Sequence, residues 1–211
     1  MIEWISLLLA FGAIVISGLT AWLTLFRRGT IKMTQPTVIY FGPDASTNAS
    51  DEPLPKIFLR TLLFATSKRG RVVESIYASL SRNETIQNFN IWVYGDERLS
   101  RGSGLFVGET GLTANHHFLT PDDGSNYQFI SGQYRLTIYA KLLGDRKKRS
   151  LFETNLTIDK EDAEKLDNPN CGLYFDWGSD SERYIPHTEN KPAELGFEEF
   201  VDSLKASTRK Q

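Results

Sequence analysis

The sequence predicts a mainly β protein carried on a single N-terminal membrane helix. Two observations predict this: an uncharged apolar run near the N-terminus, and about seven short β-type runs between residues 37 and 158, separated by turn signals. A change of composition after residue 158 sets off an acidic extension. The expected organisation is an anchor at 1–28, a short polar linker at 29–35, a β-sandwich at 36–158 and an acidic extension with short helices at 159–211.

Residues 4–26 form a stretch of 23 without a charge, dominated by Leu, Ile, Val and Phe. As a helix it spans roughly 34 Å at ~1.5 Å per residue, enough for a hydrocarbon core of ~30 Å. Trp4 and Trp22 stand near its ends, where indoles favour the bilayer interface. A core helix of this length is normally amphipathic, and this one is apolar all round. A cleaved signal peptide opens with basic residues and has a shorter apolar stretch, whereas this run follows Met-Ile-Glu and is longer, so the expectation is a retained anchor. No Lys or Arg precedes the run, while Arg27, Arg28 and Lys32 follow it. Basic flanks stay on the cytoplasmic side, which predicts an outside N-terminus and a cytoplasmic domain. Ala13, Ser17 and Ala21 recur four apart, a spacing that allows a weak helix-driven homo-oligomer; ordinary small-residue content gives the same pattern.

After the linker, strands are expected at 37–41, 56–66, 71–81, 87–94, 105–107, 117–119, 133–143 and 151–158. Between the second and third, Ser67-Lys68-Arg69-Gly70 has the composition of a hairpin turn. In 87–94, Phe89, Ile91 and Val93 alternate against Trp92 and Tyr94. In 133–143, Tyr134, Leu136, Ile138 and Ala140 alternate against Arg135, Thr137 and Lys141. Gly132-Gln133-Tyr134-Arg135-Leu136 resembles the tyrosine corner that opens the sixth strand of immunoglobulin-like sandwiches. The resemblance implies an immunoglobulin-like antiparallel β-sandwich and says nothing of function. In the extension, 159–166 reads as a helix, 173–177 as a short aromatic strand and 197–206 as a last helix.

Immunoglobulin strand order has a consequence for charge. It brings the turn between strands two and three to the same end as the turn between strands six and seven, and the chain enters strand one from that end. Those turns contain Lys68, Arg69 and Arg71, and Arg146, Lys147, Lys148 and Arg149. With Arg27, Arg28 and Lys32 they would face the membrane, where an anionic leaflet attracts each nearby Lys or Arg by ~1 kcal/mol. Basic turns also occur simply for solubility.

The formal net charge of −2 speaks against a nucleic-acid binder. It conceals a split: residues 159–211 carry 13 acids and 7 bases, leaving a net of +4 on the rest. The single cysteine, Cys171, excludes an intrachain disulfide and suits a reducing compartment. Three sequons, at Asn48, Asn83 and Asn155, matter only in a glycosylating compartment. His116 and His117 would point to opposite faces of a strand, so they cannot readily share a metal, and His117 with Asp122 or Asp123 is a bland strand-and-turn pattern. Arg101-Gly102-Ser103-Gly104 lacks the lysine and following helix of a phosphate loop. No cofactor or metal motif is present.

Tyr174, Phe175, Trp177 and Tyr184, interleaved with acids, either complete the core or meet a partner. The expected function is therefore a non-enzymatic binding or scaffold module at the cytoplasmic membrane face. Its expected partners are the bilayer through 4–26, anionic lipid headgroups and an unidentified protein. A membrane-tethered enzyme with an unrecognised site and an extracytoplasmic envelope sandwich are the alternatives.

Overall fold

The structure is a computed structural model that describes residues 2–44, 54–95, 98–102, 104–121 and 127–190. The expected helix at 197–206, and Asp122 and Asp123, lie outside the described residues.

The apolar run forms helix α1 (Ile2–Ala21), closed by a π-helical turn over Trp22–Phe26. It is long and apolar enough to cross a membrane, and none of the other described residues covers it. Two hydroxyls inside it are satisfied by the helix itself: Thr20 Oγ1 donates to the Ile16 carbonyl and Thr24 Oγ1 to the Thr20 carbonyl, each at 2.8 Å. This removes the cost of placing them in hydrocarbon.

The rest is mainly β, in two antiparallel sheets among the described residues. The strands of the first are β1 (Ile31–Met33), β2 (Val38–Pro43), β3 (Pro55–Ala65), β6 (Ile91–Gly95), β7 (Ser100–Arg101), β9 (Leu112–Leu119), β12 (Cys171–Gly178) and β13 (Arg183–Asn190). The second contains β4 (Arg71–Arg82), β5 (Thr85–Phe89), β8 (Leu105–Val107), β10 (Gly132–Leu142) and β11 (Arg149–Ile158). The first runs β13-β12-β2-β3-β9-β6-β7, with β1 beside β3; the second runs β11-β10-β4-β5, with β8 beside β4. Helix α2 (Lys160–Leu166) links β11 to β12.

Period-two alternation buries one face of each sheet. Ile39, Phe41, Ile57, Leu59, Trp92 and Phe118 from the first share one core with Ile76, Ala78, Leu80, Leu136, Ile138 and Leu156 from the second. Phe129 stacks on Phe41 with ring centroids 5.0 Å apart and on Phe89 at 6.0 Å, tying the sheets together. Tyr134 is buried, and its hydroxyl donates to the Ile130 carbonyl at 2.6 Å. This is the local geometry that the Gly132–Leu136 pattern implied.

Three expectations are corrected. Residues 29–35 are not a free linker: β1 pairs with β3 in the register Ile31 to Ala65 and Met33 to Leu63. Three residues are too short a run for period-two alternation to register. Residues 87–94 are not one strand. The chain changes sheets at Asn90, so Phe89 and Trp92 both point inward and Ile91 and Val93 are only half-buried. A change of sheet resets the phase of the alternation, and nothing local announces it. The Ser67–Gly70 turn is not a hairpin, because β3 and β4 belong to different sheets. Its Gly70 amide donates to the Ser67 carbonyl at 3.1 Å with a positive φ of 66°, a turn chemistry common to hairpins and sheet crossings. The extension also contributes more than the expected 173–177 strand. Leu173 to Asp176 pair with Phe41 to Val38, and β13 pairs with β12, so the acidic segment through Asn190 completes the larger sheet.

Tyr134→Phe keeps the ring and deletes the hydroxyl that serves Ile130. Loss of a buried donor costs about 1–3 kcal/mol. Urea unfolding of the full chain in detergent is expected to show an unfolding free energy lowered by that amount, seen as a lower midpoint with an unchanged slope.

Candidate functional site

The residues that gather most charge are at one end of the sandwich, where the chain arrives from α1. Gly29 is buried there against the β3–β4 turn; a Cβ on it would lie 2.7 Å from Ser67. The Thr30 amide donates to Thr66 Oγ1 at 2.9 Å, and the Thr66 amide donates to the Thr30 carbonyl at 2.8 Å. Thr34 continues the attachment, with its amide donating to the Leu62 carbonyl and its hydroxyl accepting from the Leu62 amide, both at 2.9 Å. Only Arg27 and Arg28 separate the end of the helical run at Phe26 from this docked chain.

Arg71 ties the two basic turns to the entry segment. Its Nη1 donates to the Gly29 carbonyl at 2.9 Å, and its Nη2 pairs with Asp145 at 2.7 Å. Both partners of the ion pair are largely buried, with side-chain exposures of 12% and 17%. Arg149 bonds the other carboxylate oxygen of Asp145 at 2.9 Å. The Arg71 hydrogen bond, seconded by Arg149, holds the Asp145 carboxyl below its ordinary range. The turn before β4 and the β10–β11 hairpin therefore lie side by side at the anchor end.

The basic residues of these turns are not equivalent. Arg71 and Arg149 share Asp145, whose single negative charge offsets one of the two guanidinium charges. Lys148 folds back over the stacked Tyr77 and Tyr139 rings, 4.9 and 4.7 Å from their centroids, and donates to the Tyr77 hydroxyl. That bond raises its pKa. Lys32 is exposed on β1 opposite Phe64 and forms no ion pair among the described residues. Lys68, Arg69, Arg146 and Lys147 are exposed and form no ion pair among the described residues, as do Arg27 and Arg28 beside them. Charge available to an outside partner thus comes chiefly from seven of the ten basic positions singled out in the sequence: Arg27, Arg28, Lys32, Lys68, Arg69, Arg146 and Lys147.

The aromatic residues of the extension divide between two faces. Phe175 is in the core beside Phe41 at 5.2 Å. Trp177 and Tyr184 pack edge to face at 5.1 Å, and Tyr184 donates to the Pro36 carbonyl at 2.8 Å. Tyr174 points the other way, stacked on His187 at 5.5 Å on the outer face. His187 stands between Asp176 and Glu189, 3.3 Å from each. Sequence spacing predicts which of the four alternate; it does not show which side is inner, because that depends on the pairing of β12 with β2.

His116 and His117 do point to opposite faces. His116 is fully buried, its Nδ1 accepting from the Trp92 indole N–H at 3.1 Å. His117 lies outside, tilted against Phe58 at 4.9 Å. Among the described residues no three His, Cys, Asp or Glu side chains converge as metal ligands. Cys171 is buried, and burial pushes its thiol pKa up, which opposes nucleophilic reactivity.

Two predictions follow from these geometries. Arg71→Ala deletes charged hydrogen bonds worth about 1.5–3 kcal/mol each and unpins the entry segment. Hydrogen exchange is expected to accelerate first at Thr30 and Thr66, with the Phe89 and Leu136 amides still protected. His116 is neutral in the fold, with a pKa lowered from 6.5 to about 4 by burial and then by His117. Between those values the unfolded chain takes up a proton that the folded chain refuses, so stability falls as pH drops through the window. The loss by pH 4 is about 3 kcal/mol, and His116→Gln should remove that component from the pH dependence of urea unfolding.

No known family matches this chain, and no curated protein matches it. Among solved structures, it is similar to the CooA pilin subunit from enterotoxigenic Escherichia coli at 12% identity, over 62% of this chain and 99% of that one. The TM-score is 0.32, too low for the likeness to inform the fold or function of this chain.

Proposed function

We propose that this protein is a single-pass membrane-anchored binding module without catalytic activity, presenting an immunoglobulin-like sandwich at the cytoplasmic face. The single observation that carries the reading is the convergence of the anchor exit and both basic turns on Arg71. At most ~3.6 Å per residue, the three steps from Phe26 to Gly29 reach about 11 Å. That is comparable with the ~8 Å Debye length at physiological ionic strength. In a membrane-spanning chain the basic end would sit where anionic headgroups act on it.

The immunoglobulin-like assignment is supported by the order β2-β3-β9-β6 facing β11-β10-β4-β5. It matches the A-B-E-D and G-F-C order of that fold, and the Tyr134 corner falls at the start of the sixth principal strand, β10. The binding role is supported by the outer face of β12 and β13, where Tyr174, Asp176, His187 and Glu189 stand together. Strand β13 has an unpaired edge among the described residues, a surface suited to a protein partner.

Orientation is tested with Lys147→Cys in a Cys171→Ala background, in intact cells treated with a membrane-impermeant maleimide. Labelling is expected only after lysis. Labelling of intact cells would place the domain outside and reject the cytoplasmic reading.

A further inference from the structure

Beside the pinned entry segment is a cleft of about 310 Å³ whose lining includes Arg28, Arg69, Gly70, Arg71, Phe106 and Leu143. Its chemistry is two-sided. Arg28 and Arg69 supply exposed guanidinium groups that form no ion pair among the described residues. Arg71 is held by Gly29 and Asp145 and forms the wall. Phe106 and Leu143 project from the same rim and are 63% and 61% exposed. Both are fixed by backbone: Phe106 lies opposite Val72 in the β4–β8 pair, and the Leu143 amide donates to the Val72 carbonyl at 2.9 Å.

Gly70 makes room for this arrangement. A Cβ there would come within 2.6 Å of the Phe106 ring and 2.7 Å of the Val107 carbonyl. Large exposed apolar side chains on a soluble surface are unremarkable singly. Here two of them line one cleft with two exposed guanidinium groups, and the residue before Arg27 ends an apolar helix.

We propose that this cleft is an anionic-lipid site: Arg28 and Arg69 bind the phosphodiester of a headgroup in the leaflet that α1 leaves, and Phe106 and Leu143 insert beside its acyl chains. Guanidinium suits phosphate because its planar fork offers two parallel donors. The occupant is a lipid of the same bilayer because the anchor exit and the cleft share Arg28, which leaves the site facing the headgroup layer. An apolar rim distinguishes it from a site for free phosphate, which gains nothing from Phe106 or Leu143. The inference rests on the proposed membrane anchoring and adds a specific second contact to it.

The test uses the full chain in nanodiscs, with an environment-sensitive fluorophore on Leu143→Cys in a Cys171→Ala background. A second probe on Glu84→Cys, in the β4–β5 turn, is the control. Glu84 is a strand length away: the 12 residues of β4 span roughly 40 Å at ~3.3 Å per residue. In nanodiscs containing phosphatidylglycerol the Leu143 probe should brighten several-fold and shift to the blue, while the Glu84 probe stays as in buffer. In phosphatidylcholine alone, or with Arg69→Ala, the Leu143 response should fall at least threefold. Inorganic phosphate at constant ionic strength should leave it unchanged. Equal responses in both lipids with no effect of Arg69→Ala overturn the lipid site. Reversal by inorganic phosphate assigns the cleft to a free anion and overturns it too. A Glu84 probe that enters lipid instead defeats the underlying membrane attitude, so the two failures are distinguishable.

Discussion

The attachment of residues 29–34 to β3 constrains everything around the anchor. Hydrogen bonds from Thr30 and Thr34, the β1 register and the burial of Gly29 on Ser67 remove the slack between an apolar helix and a folded domain. A flexible linker of the same length would let the sandwich tumble freely. Docked as it is, the domain can vary its distance from the end of the helix only through Arg27 and Arg28 unless β1 breaks from β3. The Arg71–Asp145 pair then carries this rigidity into the β10–β11 hairpin.

Charge at this end is divided by role. Asp145 absorbs Arg71 and Arg149, which hold the turns together, while Tyr77 and Tyr139 take Lys148. The Arg71–Asp145 pair is shielded enough for its geometry to matter, whereas exposed pairs such as Arg135–Glu153 at 3.6 Å contribute little. Lys68, Arg69, Arg146 and Lys147 have no such structural duty among the described residues. In the proposed arrangement they and the anchor flank supply the electrostatic attraction, and Phe106 and Leu143 supply the apolar contact. The outer face of β12 and β13 differs in kind: its Tyr174 and His187 stack lies among carboxylates.

Much of the fold was legible in the residues. Uniform apolarity identified α1 because a helix with no polar face must be covered all round, and none of the described residues covers this one. Alternation identified β10 and its inner face from Tyr134 to Ala140, and the Gly-x-Tyr pattern marked its corner. Alternation failed at Asn90, where the inner phase passes from Phe89 to Trp92 as the chain changes sheets. It also missed β13, whose eight residues include Pro186 and few apolar side chains. An edge strand with one neighbour needs little burial, so composition barely marks it.

By itself, the sequence determined which segments are apolar, which alternate, and which turns are basic, because these depend on side-chain chemistry over a few neighbouring residues. It also determined the acidic character of the extension and the lack of a cysteine pair. Only the tertiary structure decided that residues 29–34 are docked, that Asp145 pairs with two of the arginines, and that Phe106 joins Arg28 and Arg69 around one cleft. Apart from Asp145 with Arg149, four residues on, those contacts join positions distant in the chain, such as Arg71 with Gly29 and Asp145, 42 and 74 residues away. Their partners are selected by strand order across two sheets, and no local pattern of residues encodes that order directly.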